Sequence, residues 1–143
     1  MTVKQISVFL ENKPGKLAEF TDVLSRNGID MRALSLAEAA DFGIVRMIVD
    51  DVYNASTVIK DAGYVFSMTK VIAVVIPDEP GGLSRVIRTL GENGVNLEYM
   101  YAFTTPKKGT ACMILRVEDT RRAIEVLMAN GIKPVCQDEL VEM

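Results

Sequence analysis

The sequence predicts an α+β protein built from two copies of a βαββαβ unit, and three observations carry that prediction. The chain repeats itself: Asn12-Lys13-Pro14-Gly15-Lys16-Leu17 lies 66 positions before Asp78-Glu79-Pro80-Gly81-Gly82-Leu83, and Asn27-Gly28-Ile29-Asp30-Met31 lies the same distance before Asn93-Gly94-Val95-Asn96-Leu97. Within each copy the apolar residues switch between a period of two and a period near 3.6. Asn-Gly or Ala-Gly recurs wherever a helical stripe ends. At the same spacing Gly43 falls on Gly109 and Met47-Ile48-Val49 on Met113-Ile114-Leu115; Ala55, Val58 and Gly63 then meet Ala123, Val126 and Gly131 at 68, which implies a two-residue insertion between those segments.

Each element has its own reason. Lys4 to Leu10 alternates, with Ile6, Val8 and Leu10 on one face, as in a strand with one wetter side. Leu17, Phe20, Val23 and Leu24 recur at helical spacing, as do Leu83, Val86, Ile87 and Leu90. Asn27-Gly28 and Asn93-Gly94 end those helices, and Ala62-Gly63 and Asn130-Gly131 end the second pair, because Gly enters the left-handed conformation of a C-terminal stop without a Cβ clash. Met31 to Ala37 and Ile44 to Asp50 read as a hairpin joined at Phe42-Gly43. Val95 to Thr104 and Thr110 to Val117 read as its counterpart, joined by Pro106 to Gly109. Helices near Asn54 to Ala62 and Thr120 to Ala129 lead to closing strands at Tyr64 to Thr69 and Ile132 to Cys136. The expected domains are residues 1–69 and 70–143. This order, with right-handed crossovers, gives two ferredoxin-like repeats, each an antiparallel four-stranded sheet with helices on one face and the other face bare. Whether the halves cover those faces against each other or align edge strands is left open by the sequence.

Composition narrows function. Of 143 residues 49% are hydrophobic and 24% charged, which describes a folded chain, and a net charge of −3 offers no basic field for nucleic acid or anionic lipid. The run Val71-Ile72-Ala73-Val74-Val75-Ile76 is far too short to span a membrane. With no apolar leader and no paired-spacing pattern for Cys112 and Cys136, a cytoplasmic protein with reduced thiols is expected. Histidine is absent, which removes the commonest neutral-pH proton carrier and zinc ligand. No metal site, no cofactor and no catalytic residue are expected. Cys112 sits in an apolar run with no His beside it, and no glycine-rich phosphate loop is present.

The chemistry that remains lies between the first strand and first helix of each half. In Asn12-Lys13-Pro14-Gly15 and Asp78-Glu79-Pro80-Gly81, Pro sets a turn, Gly removes a Cβ, and the following helix start offers outward N–H groups with partial positive charge. A small carboxylate can approach there, while the Asn12 or Asp78 side-chain oxygen can hold an ammonium group. An α-amino acid carries both charges. The competing reading is that Asn12 and Asp78 merely cap their own turns.

The runs Ile6 through Leu17 and Ile72 through Leu83, each followed one helix later by Asn-Gly, resemble the signature of ACT domains across nearly the whole chain. The resemblance implies a βαββαβ fold that binds an amino acid to regulate an enzyme. It implies a site at an interface between two such domains, where the strand-to-helix loop of one faces the second strand of its neighbour. Carried onto this sequence, the site residues are Asn12, Lys13, Pro14, Gly15 and Leu17 with Asp78, Glu79, Pro80, Gly81 and Leu83, together with Leu34, Ser35, Met100 and Tyr101 on second strands. The first half also resembles small regulatory subunits such as that of acetohydroxyacid synthase. Asn12 and Lys13 are neutral to basic whereas Asp78 and Glu79 are acidic, so the two loops cannot bind a carboxylate equally and the first is favoured. Tyr99, Tyr101 and Phe103 alternate on one face and suggest a contact surface. The expected protein is therefore a non-catalytic regulator, a homodimer acting on a client biosynthetic enzyme, with a small amino acid as ligand. Two alternatives remain. One is an interaction subunit that binds no metabolite. The other is a small enzyme of the acylphosphatase kind, which would need an Arg where this loop has Lys.

Overall fold

A computed structural model describes residues 1–103 and 107–143. The chain divides into two compact units, Lys4–Thr69 and Lys70–Met143 with Met1–Val3. The first contains β1 (Val3–Glu11) from Lys4 onward, α1 (Lys16–Arg26), β2 (Met31–Ala39), β3 (Phe42–Val49), α2 (Val52–Asp61) and the start of β4 (Val65–Pro77). The second contains the rest of β4, then α3 (Gly82–Glu92), β5 (Leu97–Phe103), β6 (Thr110–Val117), α4 (Thr120–Ala129) and α5 (Gln137–Glu142). The strand closing the first half and the strand opening the second are thus one unbroken element.

In the first unit β3 pairs antiparallel with both β1 and β2. Ile6, Val8 and Leu10 of β1 and Val45, Met47 and Val49 of β3 join Phe20, Leu24, Ala55 and Ile59 of the helices in one buried cluster, so α1 and α2 lie on the same sheet face. Phe20 packs edge-on against Tyr64, with ring centroids 5.1 Å apart. The second unit repeats this with Ile72, Val74, Ile76, Leu115 and Val117 under Val86, Leu90, Val126 and Leu127. Both second strands carry a register shift at the same point, between Met31 and Ala33 and between Leu97 and Tyr99.

The four long helices end alike. In α1, Gly28 N–H donates to the Ser25 carbonyl and Ile29 N–H to the Leu24 carbonyl, the paired bonds of a Schellman stop, with Gly28 at φ 68°. Their starts fall into two kinds. Asp51 and Asp119 cap α2 and α4 by accepting from Asn54 N–H and Arg122 N–H, both at 3.0 Å. Gly15 and Gly81 begin α1 and α3 in the left-handed conformation, with no side-chain cap.

Three expectations need correction. Ile132 to Cys136 is not a strand: it contributes a single bridge in which Val135 N–H donates to the Ala73 carbonyl at 2.8 Å. Pro134 has no N–H to extend the ladder, and Cys136 opens α5, which the apolar pattern did not show, through a capping box with Glu139. The described residues of the second unit therefore form a three-stranded sheet plus a bridge rather than four full strands. The face away from the helices, whose cover the sequence left open, is buried at Gln5, Ser7, Ala33 and Ile48 in one unit and at Ala73, Tyr101 and Phe103 in the other. Gln5 Nε2 donates to Ser7 Oγ at 3.1 Å there.

The last correction concerns register. Ile6 faces Met47 and Leu10 faces Gly43, whereas Ile72 and Ile76, each 66 positions further on, face Leu115 and Ala111. β6 is therefore displaced from β3 by 68, so Ala111 rather than Gly109 is the counterpart of Gly43. Leu115 rather than Met113 likewise answers Met47. The two extra residues lie in the connection between β5 and β6. A slip of two keeps every side chain on its own sheet face, which is why the apolar pattern fits either alignment. The expected end of β5 at Thr104 and the expected start of that connection at Pro106 lie outside the described residues.

Candidate functional site

Beside the first loop lies an open cleft of about 290 Å³ bordered by Leu10 and Glu11 at the end of β1, Asn12 and Lys13, Leu17 of α1, Leu36, Ala37 and Glu38 of β2, and Gly43 of β3. Register explains the opening. Leu10, Gly43 and Glu38 stand side by side across three strands, and Leu10 points to the helices, so the row lies on the helix face. The middle member has no side chain, which leaves a gap between Leu10 and Glu38. Leu36, on the same face one step along β2, is 56% exposed and overhangs that gap.

The loop is tied down from one side. Asn12 N–H donates to the Asp41 carbonyl at 3.1 Å and Asn12 Nδ2 to the Ala40 carbonyl at 3.4 Å, both in the turn between β2 and β3. Asn12 is thus not a cap of α1, and its Oδ1 meets no donor among the described residues. Lys13 Nζ lies 2.9 Å from Glu11 Oε2. That hydrogen bond, then the charges of Lys13 and Lys16, hold the exposed Glu11 carboxyl below its ordinary value. At the start of α1, Lys16 N–H donates to the Lys13 carbonyl at 3.3 Å and Glu19 N–H to the Gly15 carbonyl at 3.0 Å, whereas the amides of Leu17 and Ala18 find no carbonyl partner among the described residues. The cleft therefore combines helix-start donors, one ammonium, two carboxylates and an apolar floor.

The second loop borders a cleft of about 350 Å³ on its other side, where Pro77, Glu79, Pro80, Gly81 and Gly82 face Arg85, Val86, Ile132 and Lys133. Arg85 reaches across to donate to the Asn130 carbonyl at 3.0 Å. This loop is packed more tightly than the first, for a Cβ at Gly82 would stand 2.3 Å from the Pro77 carbonyl oxygen.

The chain matches the ACT domain pair family over residues 1–143. It belongs to that family. The ACT pair is similar over its full length to the crystal structure of protein BT0572 from Bacteroides thetaiotaomicron, at 38% identity and a TM-score of 0.92, with 98% of that chain covered. It is also similar in fold to the ligand-free regulatory subunit of aspartate kinase from Thermus thermophilus, at 14% identity and a TM-score of 0.61, covering 88% of this chain and 90% of that one. The regulatory subunit of aspartate kinase from Thermus flavus has the same identity, a TM-score of 0.56 and coverages of 90% and 92%. No protein of curated function matches.

Of the residues singled out in sequence, Asn12, Lys13 and Leu17 line the first cleft, with Pro14 and Gly15 exposed beside it, and Glu79, Pro80 and Gly81 line the second. Asp78 is exposed and its N–H donates to the Gly109 carbonyl at 3.0 Å. Leu83 and Met100 are half-buried against the second core. Leu34 and Ser35 sit opposite Met47 and Arg46 and are not among the cleft residues; Tyr101 is buried on the face away from the helices. Sequence reasoning passed over Leu36, Glu38, Gly43, Arg85 and Lys133. Gly43 left a visible signal as a glycine inside a strand pattern, where a missing side chain marks a bulge or a close approach. Among the described residues no cluster of His, Cys, Asp and Glu could hold a metal ion, and no helix is long and apolar enough to cross a membrane.

Proposed function

We propose that this ACT pair is a non-catalytic regulatory protein that binds a small amino acid in the first cleft and signals its occupancy to a metabolic enzyme. The observation that carries this reading is the cleft over Gly43, where open helix-start amides and Lys13 stand beside Asn12 Oδ1 and the Glu38 carboxylate. The ligand carboxylate takes the amides and Lys13, its ammonium takes the oxygens, and its side chain takes the apolar floor. Occupancy is transmitted by linkage: a ligand that prefers one conformation or assembly shifts the population by its differential affinity and by nothing else.

A thermal-shift screen of the whole chain against the twenty amino acids tests this. Selective stabilisation that grows with ligand concentration supports the sensor, and no shift at millimolar ligand removes it. A second reading, an interaction subunit without a metabolite, is favoured by one feature: Phe9 and Phe42 are exposed side by side, with centroids 6.1 Å apart, as protein-contact aromatics often are. It predicts a stable complex with an enzyme that no amino acid alters.

A further inference from the structure

Resting on that reading, we infer that Gly43 is the specificity-determining residue of the first cleft: the ligand side chain occupies the space that a side chain at 43 would fill, and the ligand is an amino acid with an aliphatic, uncharged side chain.

The register makes the assignment. Gly43 is the middle of the row Leu10, Gly43, Glu38, and the space above it is walled by Leu10, Leu17 and Leu36. A Cβ built on Gly43 meets Leu36 Cδ1 at 3.2 Å and the Ala37 carbonyl oxygen at 3.6 Å, so even one methyl pushes Leu36 and takes up room in the cleft. The backbone at 43 does not itself require glycine, since its φ is not in the left-handed region. The second unit carries Ala111 at this row, opposite Ile76, packed half-buried against its core. The fold thus accepts alanine there, and the glycine of the first unit needs a different explanation. Glu11 is paired with Lys13, whereas Glu38 has no cationic partner among the described residues and edges the apolar floor with negative charge. An acidic side chain would meet like charge, and a hydrocarbon side chain would bury against leucines.

The test is titration calorimetry of the full chain and of Gly43→Ala with glycine, L-alanine, L-valine, L-leucine, L-isoleucine, L-aspartate and L-glutamate. Expected for the natural chain is binding of at least one branched aliphatic amino acid, at least about tenfold tighter than either acidic one. Gly43→Ala should weaken that ligand by about tenfold or more while its unliganded melting temperature stays level or rises, because alanine replaces glycine in a strand. Unchanged affinity in Gly43→Ala, or preference for an acidic ligand, overturns the inference and leaves amino-acid binding standing. If the natural chain binds none of the seven but another of the twenty amino acids raises its melting temperature, the inference alone falls; if none of the twenty does, the functional reading it rests on falls as well. A lowered melting temperature in Gly43→Ala would also count against it, since glycine would then be serving the fold.

Discussion

The two strand-to-helix loops share a turn, a left-handed glycine and a helix start, yet they border different clefts. In the first unit the space opens toward β2 and β3, over Gly43. The second unit has Ala111 at the row corresponding to Gly43, and its cleft lies toward Gly131–Lys133. The charge also reverses, with Glu11, Glu38 and Lys13 at one and Arg85, Lys133 and Glu79 at the other. A duplicated backbone therefore does not duplicate a site; the side chains that fill or vacate one row of the sheet decide where a ligand can go.

The sharpest way to break this comparison is to exchange the first helical residues. Gly82→Lys places a Cβ against the Pro77 carbonyl and should cost about 2 kcal/mol or more in urea unfolding, whereas Lys16→Gly, where the loop already accepts a side chain, should cost about 1 kcal/mol or less. Equal costs would mean that the two loops are packed alike. Next, Asn12→Ala should weaken the amino-acid response about tenfold with little change in the unliganded melting temperature, since its side chain does not cap α1, while Asp78→Ala should leave that response as it was. A similar loss of unliganded stability in Asn12→Ala would reduce the residue to a tie between loop and hairpin. Where the halves agree, their responses should too: Asp51→Ala and Asp119→Ala each remove a cap bonded at 3.0 Å and should each cost about 1 kcal/mol.

The smallest effect concerns the thiols, both in the second unit. Cys112 is buried, and burial pushes its pKa up to about 11, while Cys136 is half-buried at the start of α5. At pH 8 a thiol reagent should modify Cys136 alone, with Cys112 reacting only on unfolding. Between the ordinary thiol value near 9 and about 11 the unfolded chain has lost a proton that the fold retains, so stability should fall as pH rises through that window. Rapid reaction at both positions would show that the second core opens readily.

Much of this was legible in the sequence. The helix span Thr120–Ala129, the four glycine stops and the facing of both cores follow from local rules, because a 3.6 or 2.0 period and a left-handed glycine need no distant partner to be recognised. Where a partner strand was needed, sequence went astray. Matching Gly43 with Gly109 preserved the apolar pattern and misplaced the row by two. Of the second-strand residues carried over by family resemblance, Leu34 stands one step short of Leu36 on the face of the cleft, and Ser35, in the row of Arg46 and Ser7, lies on the opposite face. Pro134 was enough to reduce an expected strand to one bridge, and no periodicity announced a helix as short as α5.

By itself, then, the sequence determined the duplication, the α+β order and the two loops, since those are written in local spacing and in residues with restricted or permissive backbones. Only the tertiary structure decided which residues share a row, that Gly43 lies between Leu10 and Glu38, and that Gly82 lies against Pro77. Cross-strand neighbours are set by register, and register depends on pairing between segments far apart in the chain, which a side-chain period of two leaves ambiguous by even steps.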